Sequence, residues 1–198
     1  GRYQANFVDG SYLEVVAGQS FQLAGENAFA ATDPANTGLS SGLDTDASYA
    51  VLGTYGVIGN YNFGGKLQVD PEDAEITRAG ALVGWNYAGW SAGLDYHYLA
   101  ANEPIGALRD QHEIGATLGV PLTEYWRATG GAYWDITGDT WLQVNAGLTY
   151  DDGYLAFGAE AQKNGPPHRS ENATRVLATV RLKSPAGLDF GYAGAVPG

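Results

Sequence analysis

Side chains along this chain alternate apolar with polar or glycine over stretches of about ten residues. Successive side chains of a β-strand point to opposite faces, so a period of two marks strands that present one apolar face. Between Leu142 and Tyr150, the residues Leu142, Val144, Ala146, Leu148 and Tyr150 share one face, and Gln143, Asn145, Gly147 and Thr149 the other. The rhythm recurs with different residues. Ala79, Ala81, Val83, Trp85 and Tyr87 oppose Arg78, Gly80, Gly84 and Asn86, with Leu82 the exception. Trp90, Ala92, Leu94, Tyr96 and Tyr98 oppose Ser91, Gly93, Asp95 and His97. Ile114, Ala116, Leu118, Val120 and Leu122 oppose Glu113, Gly115, Thr117 and Gly119, and Trp126, Ala128, Ala132, Trp134 and Ile136 oppose Arg127, Thr129, Tyr133 and Asp135.

A water-soluble sandwich and a membrane barrel both give such alternation, and the second face separates them. It is built of Gly, Ser, Thr, Asn and Gln with scattered charges, which suits a polar lumen better than a surface that must keep a protein soluble. The chain has 29 Gly in 198 residues, about twice ordinary usage. Glycine inside strands allows close packing, bends and bulges in a closed sheet. Tyr87, Trp90, Tyr125, Trp126, Tyr150 and Tyr154 flank short turns, and Tyr98, Tyr133 and Trp134 lie toward the far strand ends. That placement fits two interfacial aromatic girdles, although strands are enriched in aromatics in any case. The fold class expected is an all-β, antiparallel transmembrane β-barrel in a Gram-negative cell outer membrane.

Eleven strands are predicted, at about 2–8, 12–23, 47–58, 63–70, 75–87, 90–100, 110–122, 125–136, 141–150, 154–163 and 173–183. Their connections alternate short, as at Ala88-Gly89 and Thr123-Glu124, with mostly longer, as at 24–46, 101–108 and 164–172. Short turns belong on the periplasmic side and long loops outside. Eleven strands leave the termini on opposite sides, whereas bacterial single-chain barrels have even strand numbers. The expectation is therefore the C-terminal part of a larger barrel, a missed strand being the alternative.

Charge and composition exclude other classes. A net charge of -12 argues against nucleic acid, which is bound through Lys and Arg. No apolar run is long enough for a transmembrane helix. Without Cys there is neither a disulfide framework nor a thiolate metal site, and the three His are not clustered as zinc requires. Asp44, Asp46, Asp70, Glu72, Asp73 and Glu75 lack calcium-loop spacing and read as solvated loops. Asp95 and His97 sit two residues apart, but no nucleophile accompanies them, so no catalytic residue, cofactor or metal is assigned. Arg78, Asp95, His97, Glu113, Arg127 and Asp135 are the expected polar lumen residues; Arg78, Arg127, Arg181 and Lys183 pair by default with Glu113, Asp95 and Asp135 across the lumen, contact with a phosphate or carboxylate of the ligand being the alternative.

Four segments carry a family resemblance. Gly1-Arg2-Tyr3, leading to Leu13-Glu14-Val15-Val16-Ala17-Gly18-Gln19-Ser20-Phe21-Gln22-Leu23, resembles a strand of the LptD family of lipopolysaccharide-assembly outer-membrane proteins. As in alphaproteobacterial members, a segment like Ser41-Gly42-Leu43-Asp44-Thr45 follows it. Leu148 to Gly153 resembles the family's penultimate hairpin, and Arg175 to Gly187 its closing strand, with Pro185 and Ala186 departing from the usual turn. The resemblance implies insertion of lipopolysaccharide into the outer leaflet through a lateral seam between first and last strands. It also implies an LptE-like plug lipoprotein and a periplasmic bridge protein as partners, besides lipopolysaccharide and membrane lipid. On that basis the strand 173–183 is the expected seam strand: Arg175, Thr179, Arg181 and Lys183 would meet the phosphorylated sugar, and Pro185 would limit pairing at its end, the alternative being an ordinary closing strand whose signal the barrel-assembly machinery reads. A diffusion porin or other small-molecule channel remains the alternative, and a barrel-borne enzyme a minor one.

Overall fold

The computed structural model describes residues 1–23, 45–102, 106–166, 174–183 and 189–197, with side chains as far as Leu182. Among the described residues twelve strands lie in one sheet in chain order. They are β1 (Arg2–Asn6), β2 (Tyr12–Gly18), β3 (Ala50–Ile58), β4 (Tyr61–Val69), β5 (Ile76–Tyr87), β6 (Trp90–Leu99), β7 (Gln111–Pro121), β8 (Trp126–Asp135), β9 (Thr140–Asp151), β10 (Leu155–Asn164), β11 (Arg175–Lys183) and β12 (Asp189–Pro197). The sheet is all-β and antiparallel, as the sequence rhythm requires.

All eleven predicted strands are present, and β12 is a twelfth. The strand pattern in the sequence ends before Pro185-Ala186-Gly187, and two glycines and a proline in the stretch that follows, Gly191, Gly194 and Pro197, weaken its strand signal. Among the described residues the strand count is thus even, and the parity argument for a partial barrel loses its premise. The predicted strand 12–23 also ends early, at Gly18. Beyond it the backbone N–H of Ser20 donates to Ser48 Oγ (2.8 Å) and the Gln19 amide to the Ser48 carbonyl (2.9 Å). These bonds, and a bridge between Phe21 and Ala47, replace a regular ladder.

By internal packing the chain divides into two units, Gly1–Val83 with Asp95–Glu113, and Gly84–Leu94 with Ile114–Gly198. In each, register sorts side chains onto two faces, because directly opposed residues point the same way. In the first unit Gln4 opposes Glu14, and Gly53 opposes Lys66, on a polar face, while Ala5 opposes Leu13 and Leu52 opposes Leu67 on the other. In the second, Ala128, Leu148, Ala159 and Ala178 line up across four strands, and Arg127, Thr149, Gly158 and Thr179 form the adjacent polar row.

The apolar face is the uncovered one. Val144 and Leu148 are each 40% exposed, Val180 49% and Leu182 57%. Among the described residues no large side chain is fully buried, and the buried apolar residues are only Ala100 and Ala107. A soluble sandwich packs its inner faces together, which this pattern lacks. Lipid is the medium in which an apolar face needs no protein layer over it, and strands β3 to β12 have the 9–12 residues that cross a bilayer. No helix of the described residues is long and apolar enough to cross a membrane.

Short turns are fixed by local chemistry. Ala88 (φ 49°) and Gly89 (φ 84°) both take the left-handed region, the two-residue turn whose twist suits a hairpin. Asp152 Oδ1 accepts the N–H groups of Tyr154 (2.9 Å) and Leu155 (2.8 Å). At the β8–β10 ends beside these turns Trp126, Tyr150 and Phe157 pack together on the apolar face, with Tyr150 stacked on Phe157 at 4.9 Å. Trp126 and Tyr150 are among the aromatics that flank the short turns in the sequence.

Arginine placed at Val144 or Leu148 is expected to cost about 2–4 kcal/mol near the bilayer midplane, and much less at Asn145, as measured by unfolding from lipid vesicles. Equal tolerance on the two faces would remove the membrane assignment of the apolar face. A second expectation concerns pH. The N–H of Leu155, and then that of Tyr154, hold the Asp152 carboxyl below its usual range, and the N–H of Ser11 does the same for Asp9. Such a carboxylate stabilises the fold above its unfolded pKa of about 3.9, and that contribution is lost as pH falls through the lower folded value. Asp152→Ala should lower the urea midpoint at neutral pH, with the deficit shrinking in acid. A deficit independent of pH would contradict the turn's electrostatic origin.

Candidate functional site: the polar face of the sheet

Glycines in these strands act as seats for long side chains from neighbouring strands. In the first unit Lys66 of β4 lies across Gly80 of β5, so close that a Cβ at Gly80 would stand 2.8 Å from Lys66 Cε. His97 Nδ1 borders the same seat at 3.4 Å, and His97 Nε2 is 3.4 Å from Asp95 Oδ2. Lys66, Gly80, Asp95, His97, Tyr55 and Leu82 line a cavity of about 220 Å³. Leu82 interrupts the sequence alternation because it fills space over Gly64, 3.4 Å from where a Cβ there would sit, next to the Tyr55 ring. Arg78 lies on the same face by its spacing from Gly80.

The second unit repeats the device with amides and hydroxyls. Arg127 of β8 lies over Gly119 of β7 and donates to the Gly89 carbonyl and to Ser91 Oγ (2.6 Å). The Asn145 Oδ1 sits over Gly131, 2.6 Å from a hypothetical Cβ, while its Nδ2 donates to Glu160 Oε1 (3.1 Å). Gln162 Nε2 donates to Gln143 Oε1 (3.1 Å) and Asn164 Oδ1 (3.0 Å). Thr149 and Thr179 hydroxyls flank Gly158. Such a wall of neutral donors and acceptors with dispersed charge can hydrogen-bond sugar hydroxyls and phosphates along its length.

The predicted lumen residues are only partly brought together. Asp95 and His97 meet, but Arg127 uses a carbonyl and a hydroxyl rather than a carboxylate. Asp135 Oδ1 accepts the N–H of Gly138 (2.8 Å) and so shapes the β8–β9 turn. Default pairing across the lumen is thus not what Arg127 and Asp135 do: a backbone partner close in space satisfies each without a long reach. Glu113 lies on β7. Among the described residues no three His, Asp or Glu converge as a metal site.

The seam expectation needs a larger correction. β11 is not an edge, for it pairs with β10 from Gln162↔Arg175 to Leu155↔Leu182 and with β12 from Arg175↔Pro197 to Lys183↔Asp189. Arg175, Thr179 and Arg181 take the polar-face register, opposite Gln162, Gly158 and Ala156. Lys183 closes the β11 ladder, and Pro185 lies outside the described residues. Sequence reading missed Lys66 because Gly64-Gly65 erases the alternation before it. It missed Ser48 because only the folded chain brings that residue to Gln19 and Ser20.

The LptD family model, LPS transport system D, matches residues 3–126, well over half of the 198-residue chain. No curated protein matches.

Gly119→Ala should push the Arg127 guanidinium off its seat and away from Gly89 and Ser91. The expected loss is about 1–3 kcal/mol, the value of charged hydrogen bonds, read by urea unfolding in vesicles. In an Arg127→Ala background the same change should cost clearly less. Additive losses would show that the glycine serves something other than the arginine.

Proposed function

The chain belongs to the LptD family of outer-membrane lipopolysaccharide transport components, and from that premise we propose that this sheet delivers lipopolysaccharide sideways into the outer leaflet. Lipopolysaccharide joins acyl chains to a phosphorylated sugar, so its carrier must offer each part its own medium to the end. A sheet with one uncovered apolar face and one hydrogen-bonding polar face does so, and that two-faced register is the observation that carries the reading. Sugar travels along Arg127, Asn145, Thr179, Arg175 and Arg181, and acyl chains leave for lipid.

The passage from one face to the other lies at a terminal strand. Opening an interior ladder in lipid leaves backbone groups unpaired at several kcal/mol each. β11 is held on both sides. The exit thus belongs at the seam between the first and last strands of the full barrel rather than at β11, whose Arg175, Thr179 and Arg181 stay on the polar face as contacts for the sugar. An LptE-like lipoprotein against the polar face and a periplasmic bridge protein complete the reading, which the family supports in general. The order of the motifs supports the C-terminal part of an LptD barrel, and the Gly18-Gln19-Ser20 strand with Ser41 to Thr45 after it an alphaproteobacterial member.

A photo-crosslinking residue at Thr179 on the polar face of β11 and another at Ala146 on the apolar face of β9, in cells dependent on the full-length protein, tests the order in which the two faces are met. In a short pulse, newly made lipopolysaccharide should label Thr179 before Ala146, and only while transport is energised. Simultaneous labelling would contradict the path along the polar face. Absence of label together with ion conductance in planar bilayers would favour a channel.

A further inference from the structure

Outside the polar face, the second unit carries a groove of about 610 Å³ on its apolar face, lined in part by Ala116, Ala132, Trp134, Trp141, Val144 and Lys163. A β-bulge makes it. Tyr133 pairs with Gln143, but Trp134 pairs with Trp141, so the register skips Leu142. Strict alternation from Gln143 assigns Trp141 to the polar face, and the skip turns it to the apolar one, opposite Trp134. Bulges re-aim side chains in this way next to functional sites.

Lys163 is the charged residue of the lining, and its Nζ stands 6.0 Å from the Trp141 ring centroid. It opposes Val144, which confirms its place on the lipid-facing side. An ammonium facing lipid is costly unless it lies near headgroups or meets an anion. Among the described residues no carboxylate pairs with it. Lys163 is the penultimate residue of β10, at the end that leads into the 165–174 connection rather than into the tight Asp152 turn. Longer connections lie on the outer side of such barrels. The groove therefore opens at the level of outer-leaflet headgroups, with a cation at its rim and an apolar trough beneath, in the size range of lipid and small-molecule sites.

We propose that this groove holds the lipid portion of lipopolysaccharide from the outer leaflet, a phosphate on Lys163 and an acyl chain between Trp134 and Trp141. The site rests on the outer-membrane assignment and is independent of where exported lipid leaves the sheet. It anchors a lipid of the leaflet to the outside of the protein.

Native mass spectrometry of the folded full-length protein in detergent, titrated with bis-phosphorylated lipid A, tests it without involving transport. One lipid A should be retained. Lys163→Gln should weaken retention about tenfold, the effect of one charge-assisted hydrogen bond, without changing retention of the dephosphorylated lipid. Trp141→Ala should weaken both forms. Heat-modifiability on gels confirms that each variant is folded, and Lys163→Arg, which keeps the charge, should retain lipid A. Wild-type retention in Lys163→Gln and Trp141→Ala would overturn the proposal. So would phosphatidylglycerol binding as tightly as lipid A, since the groove would then be a general anionic-lipid surface.

Discussion

Every backbone donor and acceptor that enters hydrocarbon must be paired within the protein, and the remaining features of this molecule follow from that requirement. It makes the meander of the described strands a continuous ladder, and it leaves side chains, not backbone, to meet the two media. With no protein layer over the apolar face, residues such as Val144, Val180 and Leu182 are exposed without being a liability, because lipid covers them. The same requirement makes an interior strand such as β11 a poor place for a gate.

Glycine is the second element of the design. A strand residue without a side chain lets a long neighbour lie flat along the wall, as Lys66 does over Gly80 and Arg127 over Gly119. A lysine or arginine so held keeps its charge at a fixed position instead of sweeping the aqueous side. The wall stays polar and ordered while its charges stay dispersed, which suits an amphiphile whose sugar must slide rather than be captured.

Much of this was legible in the sequence because period two survives wherever apolar residues fill one face, as in Leu142 to Tyr150. It failed at particular residues for physical reasons. Leu82 occupies the polar face to cover a glycine, and Trp141 leaves it through a bulge, two events that a strict period cannot encode. β12 was hidden by its glycines and proline, and its omission made β11 look like an edge. Gln19 and Ser20 were noticed as part of a motif, but their bonds to Ser48 join positions 28 and 29 residues apart and have no local signature. The polar-face clusters are likewise properties of register, so charge type was readable and partners were not.

The central claim is that one face of this sheet meets lipid and the other an aqueous path. Spin labels placed singly from Gln143 to Thr149 in the protein reconstituted in bilayers test it most directly, through collision with apolar oxygen and with a water-soluble nickel chelate. Val144, Ala146 and Leu148 should be oxygen-accessible, and Gln143, Asn145 and Thr149 nickel-accessible, in strict alternation. Uniform access to either reagent, or loss of both on the apolar face through burial against protein, would contradict the account.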